Sequence, residues 1–90
     1  MRAVVRSTGF KKDVKRAEKR GKDVAKLKAV ILLLLDDETL PERLKDHALR
    51  GNWIGYRDLH IEPDWVLIYR LTDIELQLAR TGTHSDVFGE

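Results

Sequence analysis

Three histidines and one aspartate in the second half of the chain are the residues best suited to proton-transfer chemistry. His47, His60 and His84 each lie at the end of a predicted strand or at a turn, and Asp64 follows His60 across one predicted turn. An imidazole with a pKa of about 6.5 can both accept and donate a proton at neutral pH. Because successive strand ends of a meander meet in space, the spacing allows these four side chains to form one acid–base site.

A metal site is the alternative interpretation of the same histidines, because neutral imidazole is the commonest nitrogen ligand of metal ions in proteins. The histidines are 13 and 24 residues apart, spacings that match no familiar metal-binding motif. The chain also has no phosphate-binding glycine loop, no His-Glu-x-x-His and no Gly-x-Ser-x-Gly sequence. Composition therefore does not decide between a tris-histidine metal site and an acid–base set.

The aromatic residues divide into predicted strand residues and one isolated ring. Trp53, Tyr56, Trp65 and Tyr69 are most simply strand residues that pack in or beside a core. Phe88 follows a polar stretch near the end of the chain, and a ring exposed there can stack on a nucleobase for about 1–3 kcal/mol per base. Trp65 directly follows the candidate catalytic aspartate, so its edge could also reach the site.

Positive charge is concentrated in residues 11–28, although the whole chain has a net charge of only +2. That segment carries nine basic and three acidic residues, whereas the remainder carries eight basic and twelve acidic residues. Such a basic segment is typical of a surface that binds a polyanion, and equally of a solvated helix face. The candidate phosphate contacts in it are Lys11, Lys12, Lys15, Lys19, Lys22 and Lys26.

Composition excludes several classes of function. The 90 residues allow one small domain, 1–90, and the 42% apolar fraction is enough for a core. The chain has no cysteine, which excludes disulfides and thiolate chemistry and fits a reducing cytoplasm. The longest apolar run, residues 30–35, is far shorter than the about 20 residues that span a bilayer, and no secretory signal is visible. We therefore expect a small cytoplasmic domain without redox chemistry and without a membrane, and the acid–base interpretation of its histidines needs no cofactor.

Two helices are predicted in the first half of the chain. A short strand over residues 2–6 precedes a helix that Ser7 or Thr8 can cap and that Gly21 ends, and a second helix follows from about 22 to 36. Their apolar stripes recur at helical spacing and consist of Phe10, Val14 and Ala17 in the first helix and Val24, Leu27, Ile31 and Leu34 in the second.

The pattern changes to β-type after Pro41. A short strand over 46–49 and a turn at Gly51-Asn52 are followed by predicted strands over 53–61, 65–69 and 74–81, and residues 82–90 form a tail. The run over 65–69 is continuously apolar, which indicates a central strand. The element order predicts an α+β domain, a small mostly antiparallel sheet with two N-terminal helices packed on one face.

Four stretches of the β half carry a family resemblance. They are Lys45-Asp46-His47-Ala48-Leu49, Gly51-Asn52-Trp53-Ile54-Gly55-Tyr56-Arg57-Asp58-Leu59-His60, Glu62-Pro63-Asp64-Trp65-Val66-Leu67-Ile68-Tyr69 and Arg80-Thr81-Gly82-Thr83-His84 with Phe88. With them the chain resembles the YafQ branch of the RelE/ParE toxin superfamily over essentially all its length. Ala48 stands where relatives often have proline, which affects only the entry to a strand.

The resemblance implies a toxin of a type II toxin–antitoxin pair with a RelE-like fold. Such toxins are ribosome-dependent endoribonucleases that cut mRNA in the ribosomal A site and so inhibit translation. The implied catalytic set is His47, His60, Asp64 and His84, with Trp65 and Phe88 beside the substrate. The implied partners are the ribosome and its RNA, the mRNA, and a DinJ-like antitoxin that forms a DNA-binding dimer. ParE-like members act on gyrase and lack this histidine set.

The chemistry expected of the set is attack of a ribose 2′-OH on the adjacent phosphate, which gives a 2′,3′-cyclic phosphate and a 5′-OH end. We assign His84 as the general acid, His60 or Asp64 as the base, and His47 as an imidazolium that stabilises the phosphate. Asp64 could instead hold an imidazole in the right tautomer. Two other functions stay open from the sequence: a non-catalytic RNA- or protein-binding module, and a metal-dependent hydrolase that uses the three histidines.

Overall fold

One sheet with a layer of two helices on one face forms the domain. The computed structural model describes residues 2–37 and 39–89. In chain order, these residues form β1 (Ala3–Arg6), α1 (Thr8–Lys19), α2 (Val24–Leu35), β2 (His47–Ala48), β3 (Arg57–Glu62), β4 (Trp65–Leu71), β5 (Glu75–Gly82) and α3 (His84–Phe88). Two 3₁₀ turns, Glu42–Leu44 and Gly51–Trp53, flank β2.

The sheet has the strand order β1-β5-β4-β3-β2. β1 runs parallel to β5, and the other neighbouring pairs are antiparallel, so the sheet is mixed but mostly antiparallel, as predicted. β4 is the middle strand, and its residues 65–69 are all buried. The continuous apolar run thus predicted the central strand correctly, since a strand covered on both faces needs apolar side chains on both.

The helices α1 and α2 cover one face of the sheet, and local sequence sets where each begins. Ser7 Oγ accepts a hydrogen bond from the Phe10 N–H at 2.9 Å, and the Asp23 carboxylate accepts one from the Ala25 N–H at 3.0 Å. The second helix therefore starts at Val24. The core beneath the helices includes Phe10, Ala17, Leu27, Val30, Leu34, Leu59, Leu67, Leu76 and Leu78.

The opposite side, here called the open face, carries a second and smaller cluster. Val66 and Ile68 of β4 pack there against Val87 of α3. Leu49, Trp53, Tyr56, Ala79 and Phe88 surround them and are only partly buried. Val66 and Ile68 are themselves fully buried, so the surface that this face offers to a ligand is formed by the partly buried residues around them.

Two predictions about local structure are wrong. The strand predicted over 53–61 begins only at Arg57, because Gly51–Trp53 is a 3₁₀ turn and Gly55 has a φ of 91°, which ends regular extended structure. The predicted tail over 82–89 contains α3, whose Thr83 side chain and Asp86 carboxylate form a reciprocal capping box. Glu90, the last residue of that prediction, lies outside the described residues.

None of the helices in residues 2–37 and 39–89 is long and apolar enough to cross a membrane.

Candidate active site

His84 is the first residue of α3 and is hydrogen-bonded to Asp64, which lies in the turn between β3 and β4. The backbone N–H of His84 donates to Asp64 Oδ1 at 3.0 Å, and His84 Nδ1 lies 2.7 Å from the same oxygen. These bonds, the backbone bond first, hold the pKa of Asp64 below its ordinary value. An ionised Asp64 fixes the His84 tautomer with Nδ1 protonated, which leaves Nε2 for a substrate.

His60, near the end of β3, faces His84 at close range. The two ring centroids are 5.2 Å apart and the rings are almost perpendicular, at 78°. Burial lowers the pKa of His60 below its ordinary value, and the neighbouring positive groups His84, His47 and Lys45 act in the same direction. His60 is therefore neutral at pH 7 and able to accept a proton.

His47 approaches the same face through Asp58, which is its partner across the β2–β3 ladder. Its Nδ1 lies 2.9 Å from Asp58 Oδ1 and 2.9 Å from the Lys45 carbonyl oxygen, and only the carbonyl has hydrogen-bond geometry. Asp58 is 2% exposed, and its Oδ1 receives no hydrogen bond from the described residues. Burial raises the pKa of this carboxyl, while the three histidines oppose that shift.

Asp58 is a candidate functional residue that the sequence analysis missed. The signal for it was present, because residues two apart in a strand point to the same face and Asp58 precedes His60 by two. Its pairing with Ile68 and that of His60 with Val66 place both on the open face. A buried carboxylate beside three histidines is an arrangement that tunes proton transfer.

A cationic cleft adjoins His60. It has a volume of about 360 Å³, and Arg43, Lys45, His60 and Glu62 are among the residues that line it. Lys45 has a left-handed backbone with a φ of 50°, which is unfavourable for a residue other than glycine. The cleft supplies positive charge beside the imidazoles, as a phosphodiester would require.

The two aromatic residues predicted to lie beside the substrate have different surroundings. Phe88 is half-buried on the open face, with its ring centroid 6.2 Å from that of His84. Trp65 is 1% exposed, and its Nε1–H donates to Thr81 Oγ1 at 3.0 Å. The ring of Trp65 thus fills the core on the helical side of β4, and the structure does not bring it to the open face beside Phe88.

An ionic network anchors α3 and so positions His84. Arg20 donates to Asp86 of α3 at 2.7 Å, a bond that lowers the pKa of Asp86 to about 2. Asp13, which is 2% exposed, accepts hydrogen bonds from Arg80 Nε at 2.6 Å and from the Thr81 N–H at 3.1 Å. Arg16 contacts both Asp13 and Asp86, which links α1, β5 and α3. The sequence analysis did not predict this network.

The predicted phosphate-binding lysines fall into two groups. Lys22 and Lys26 both donate to the Glu62 carboxylate, at 3.0 Å and 2.9 Å. The other four are exposed along α1 on the helical side, away from the histidines, and they are Lys11, Lys12, Lys15 and Lys19. A polyanion bound by these four lysines would therefore contact the helical side of the domain and not the open face.

The described residues, 2–37 and 39–89, include no group of three histidines or acidic side chains arranged to hold a metal ion. Nδ1 of His84 is hydrogen-bonded to Asp64, and Nδ1 of His47 is hydrogen-bonded to the Lys45 carbonyl oxygen. The His60 ring lies nearly edge to face with the His84 ring. The observed arrangement is one of paired proton donors and acceptors.

Comparison with known proteins agrees with this fold. The crystal structure of YafQ from Escherichia coli strain BL21(DE3) superposes with a TM-score of 0.94 at 51% identity, covering 99% of this chain and 100% of that one. YafQ in the crystal structure of the Escherichia coli DinJ–YafQ complex gives a TM-score of 0.92 at 52% identity, with the same coverage. The mRNA interferase toxin YafQ of Escherichia coli strain K12 is 56% identical over 81 residues, 89% of this chain and 88% of the relative.

The fold class is thus that of toxins from toxin–antitoxin systems. A family model described as "Bacterial toxin of type II toxin-antitoxin system, YafQ" matches residues 2–89. The chain belongs to the YafQ family of bacterial toxins.

Proposed function

We propose that this chain is a ribosome-dependent endoribonuclease that cuts mRNA in the ribosomal A site by metal-independent acid–base chemistry. The observation that carries the proposal is the Asp64–His84 pair facing the neutral imidazole of His60 at 5.2 Å on an accessible sheet face. The similarity to a protein named mRNA interferase toxin supports the substrate class.

In the proposed reaction, the 2′-OH attacks the adjacent phosphorus while the bond from phosphorus to the 5′ oxygen breaks. His60 takes the 2′ proton, because its lowered pKa keeps it unprotonated at pH 7. His84 acts in its doubly protonated form: the Nε2 proton passes to the leaving 5′ oxygen, and the Nδ1–H stays bonded to the Asp64 carboxylate. Asp64 is a poorer base than His60, since its lowered pKa makes the carboxylate weakly basic.

Positive charge near the phosphate comes from His47 and from the cleft beside His60. Lys45 and Arg43 line that cleft and would neutralise negative charge as it develops on the phosphate oxygens. Phe88 would stack on a nucleotide base next to His84. The partners we propose are the ribosome, the mRNA and a DinJ-like antitoxin in the bacterial cytoplasm, and similarity to YafQ of the DinJ–YafQ complex supports the antitoxin.

The test of this proposal is cleavage of an mRNA on purified ribosomes, compared with the same mRNA without ribosomes. We expect cleavage only in the presence of ribosomes, and we expect it to survive a transition-metal chelator at magnesium levels that keep ribosomes intact. A metal-dependent hydrolase would lose activity with the chelator and regain it with one metal ion. A non-catalytic binding module would bind ribosomes and leave the mRNA uncut.

Charge reversal on α1 should weaken ribosome binding without changing the fold. With Lys11, Lys12, Lys15 and Lys19 changed to glutamate, we expect a lower affinity for ribosomes and a smaller salt slope, by roughly 1 for each phosphate that is no longer neutralised. Affinity measured over a range of salt concentrations tests this. A thermal melt and antitoxin binding serve as controls, and unchanged affinity at low salt would make α1 a solvated face.

Removing the charge of Asp58 should shift the pH dependence of cleavage. Because the negative charge of Asp58 raises the pKa of His60, Asp58→Asn should lower that pKa further. The acid limb of the kcat/KM profile should then move to lower pH, and the maximal rate should fall by up to about 10²-fold, as His47 loses its partner.

The matched control is Asp73→Asn, an exposed aspartate in the bend between β4 and β5. A merely structural role for Asp58 would change the melting temperature and leave the acid limb of the profile in place.

A further inference from the structure

Three side chains at the far end of the open face are not used by the proposed catalytic set. Arg70 follows Ile68 by two residues on β4, so its side chain shares the open face with Val66 and Ile68. Its guanidinium carbon lies 5.3 Å from the centre of the Tyr56 ring. Tyr56 in turn meets the Trp53 ring edge to face, with centroids 5.4 Å apart.

The guanidinium of Arg70 has no acidic partner in the part of the chain that the structure describes. None of the ion pairs among these residues includes Arg70. Its Nε atom is buried and finds no hydrogen-bond acceptor among them. The Arg70 side chain as a whole is only partly buried, so its terminal N–H groups can donate to an acceptor that a ligand supplies.

Arg70 and the two rings lie within reach of an RNA strand that is bound at His60 and His84. Val66 pairs with His60, and Arg70 is four residues further along β4, a separation of about 13 Å. Between them Val66 and Ile68 are fully buried, and the surface above them is formed by partly buried side chains that include Trp53, Tyr56 and Phe88. A single-stranded RNA bound at His60 and His84 can therefore continue across these rings to Arg70.

We propose that Trp53, Tyr56 and Arg70 form a subsite for a nucleotide of an RNA strand near the cleaved bond. The inference rests on the proposed endoribonuclease function and adds to it a second point of contact. A planar guanidinium stacked on an aromatic ring offers a flat surface for a base and an unpaired donor for a phosphate oxygen. An acidic peptide would satisfy the charge but would leave the rings unused.

The variants that test the subsite are Arg70→Gln and Tyr56→Leu, with Arg6→Gln on the opposite edge strand as the matched control. Single-turnover cleavage of ribosome-bound mRNA, with enzyme in excess of mRNA but below saturation, should fall roughly 5- to 150-fold for the first two. This is the equivalent of one base that no longer stacks. Arg70→Lys keeps the positive charge but lacks the planar guanidinium, so its cleavage rate should lie between those of Arg70→Gln and wild type. The control should cleave like wild type, and thermal melts should show that every variant folds.

Two further arms identify which RNA is bound. If the nucleotide belongs to the mRNA, one abasic substitution near the cleavage site should slow wild type and leave Arg70→Gln unchanged. If it belongs to ribosomal RNA, no abasic position should matter and affinity for empty ribosomes should fall instead. Wild-type rates for both variants, or a loss of antitoxin affinity alone, would overturn the subsite.

A ribosome-free arm separates this inference from the proposed function. Binding of a short labelled oligoadenylate to His84→Ala and to His84→Ala combined with Arg70→Gln measures the subsite without cleavage. Weaker binding by the double variant supports the subsite even if wild type fails to cut mRNA. Equal binding in this arm, together with equal cleavage on ribosomes, contradicts it.

Discussion

Replacing His84 with alanine is expected to slow mRNA cleavage by about 10²–10⁴-fold, equivalent to roughly 3–5 kcal/mol of transition-state stabilisation. The variant loses the imidazole that Asp64 orients and that gives a proton to the leaving 5′ oxygen. The fold should survive, because the ring is partly exposed on the open face and the backbone N–H of residue 84 still bonds to Asp64. Single-turnover cleavage and a thermal melt on the same preparation measure both effects.

The matched control is Ser85→Ala, the next residue of α3, whose side chain is exposed. It should keep the wild-type cleavage rate and melting temperature. A His84→Ala protein that still cuts mRNA at the wild-type rate would remove His84 from the mechanism. One that fails to fold would make His84 a structural residue.

The largest effect on stability is expected from Asp13→Ala, about 3 kcal/mol of the free energy of unfolding. The change leaves the guanidinium of Arg80 without its main partner and the buried Thr81 N–H without an acceptor. Arg80 is partly exposed, which places the loss at the lower end of the range for breaking a buried ion pair. In a domain of this size the melting temperature should fall by roughly 12–24 °C.

Asp13→Ala should also affect catalysis, which the loss of an ordinary core contact would not do. Asp13 holds Arg16 and Arg80, and Arg16 contacts Asp86 of α3, so its removal should loosen the helix that carries His84. Cleavage by the folded fraction should therefore fall as well. Glu18→Ala, at an exposed position of the same helix, should change neither quantity. A melting temperature within a few degrees of wild type for Asp13→Ala would show that the network contributes little.

The sequence predicted those elements whose signals are local. The Ser7 cap, the apolar stripes of the two helices and the run over 65–69 each depend on residues a few positions apart, and the structure has the elements they indicate. The strand over 53–61 was too long, since aromatic residues at 53 and 56 suggested extended structure although they follow a 3₁₀ turn. The helix α3 was missed although its capping box was visible in Thr83-x-x-Asp86.

The parts of the site that escaped prediction depend on contacts distant in sequence. Asp13 meets Arg80 across 67 positions, and no local pattern marks a buried aspartate in a basic helix. Trp65 could not be placed from its neighbour Asp64, because adjacent strand residues point to opposite faces and the sequence did not show which face the helices cover. The spacing of Asp58 and His60 indicated a shared face, but the approach of Asp58 to His47 depends on the pairing of β2 with β3. His60, Asp64 and His84 were expected together, and the structure brings them together.

The end groups of the cut mRNA test the acid–base mechanism most directly. Wild-type protein is incubated with ribosomes that carry a defined mRNA, and the ends on both sides of the cut are analysed chemically. Attack by the 2′-OH with proton transfer through His60 and His84 predicts a 2′,3′-cyclic phosphate on the upstream fragment and a 5′-OH on the downstream one. A 3′-OH together with a 5′-phosphate would mean that water attacked the phosphorus directly, and it would contradict the mechanism.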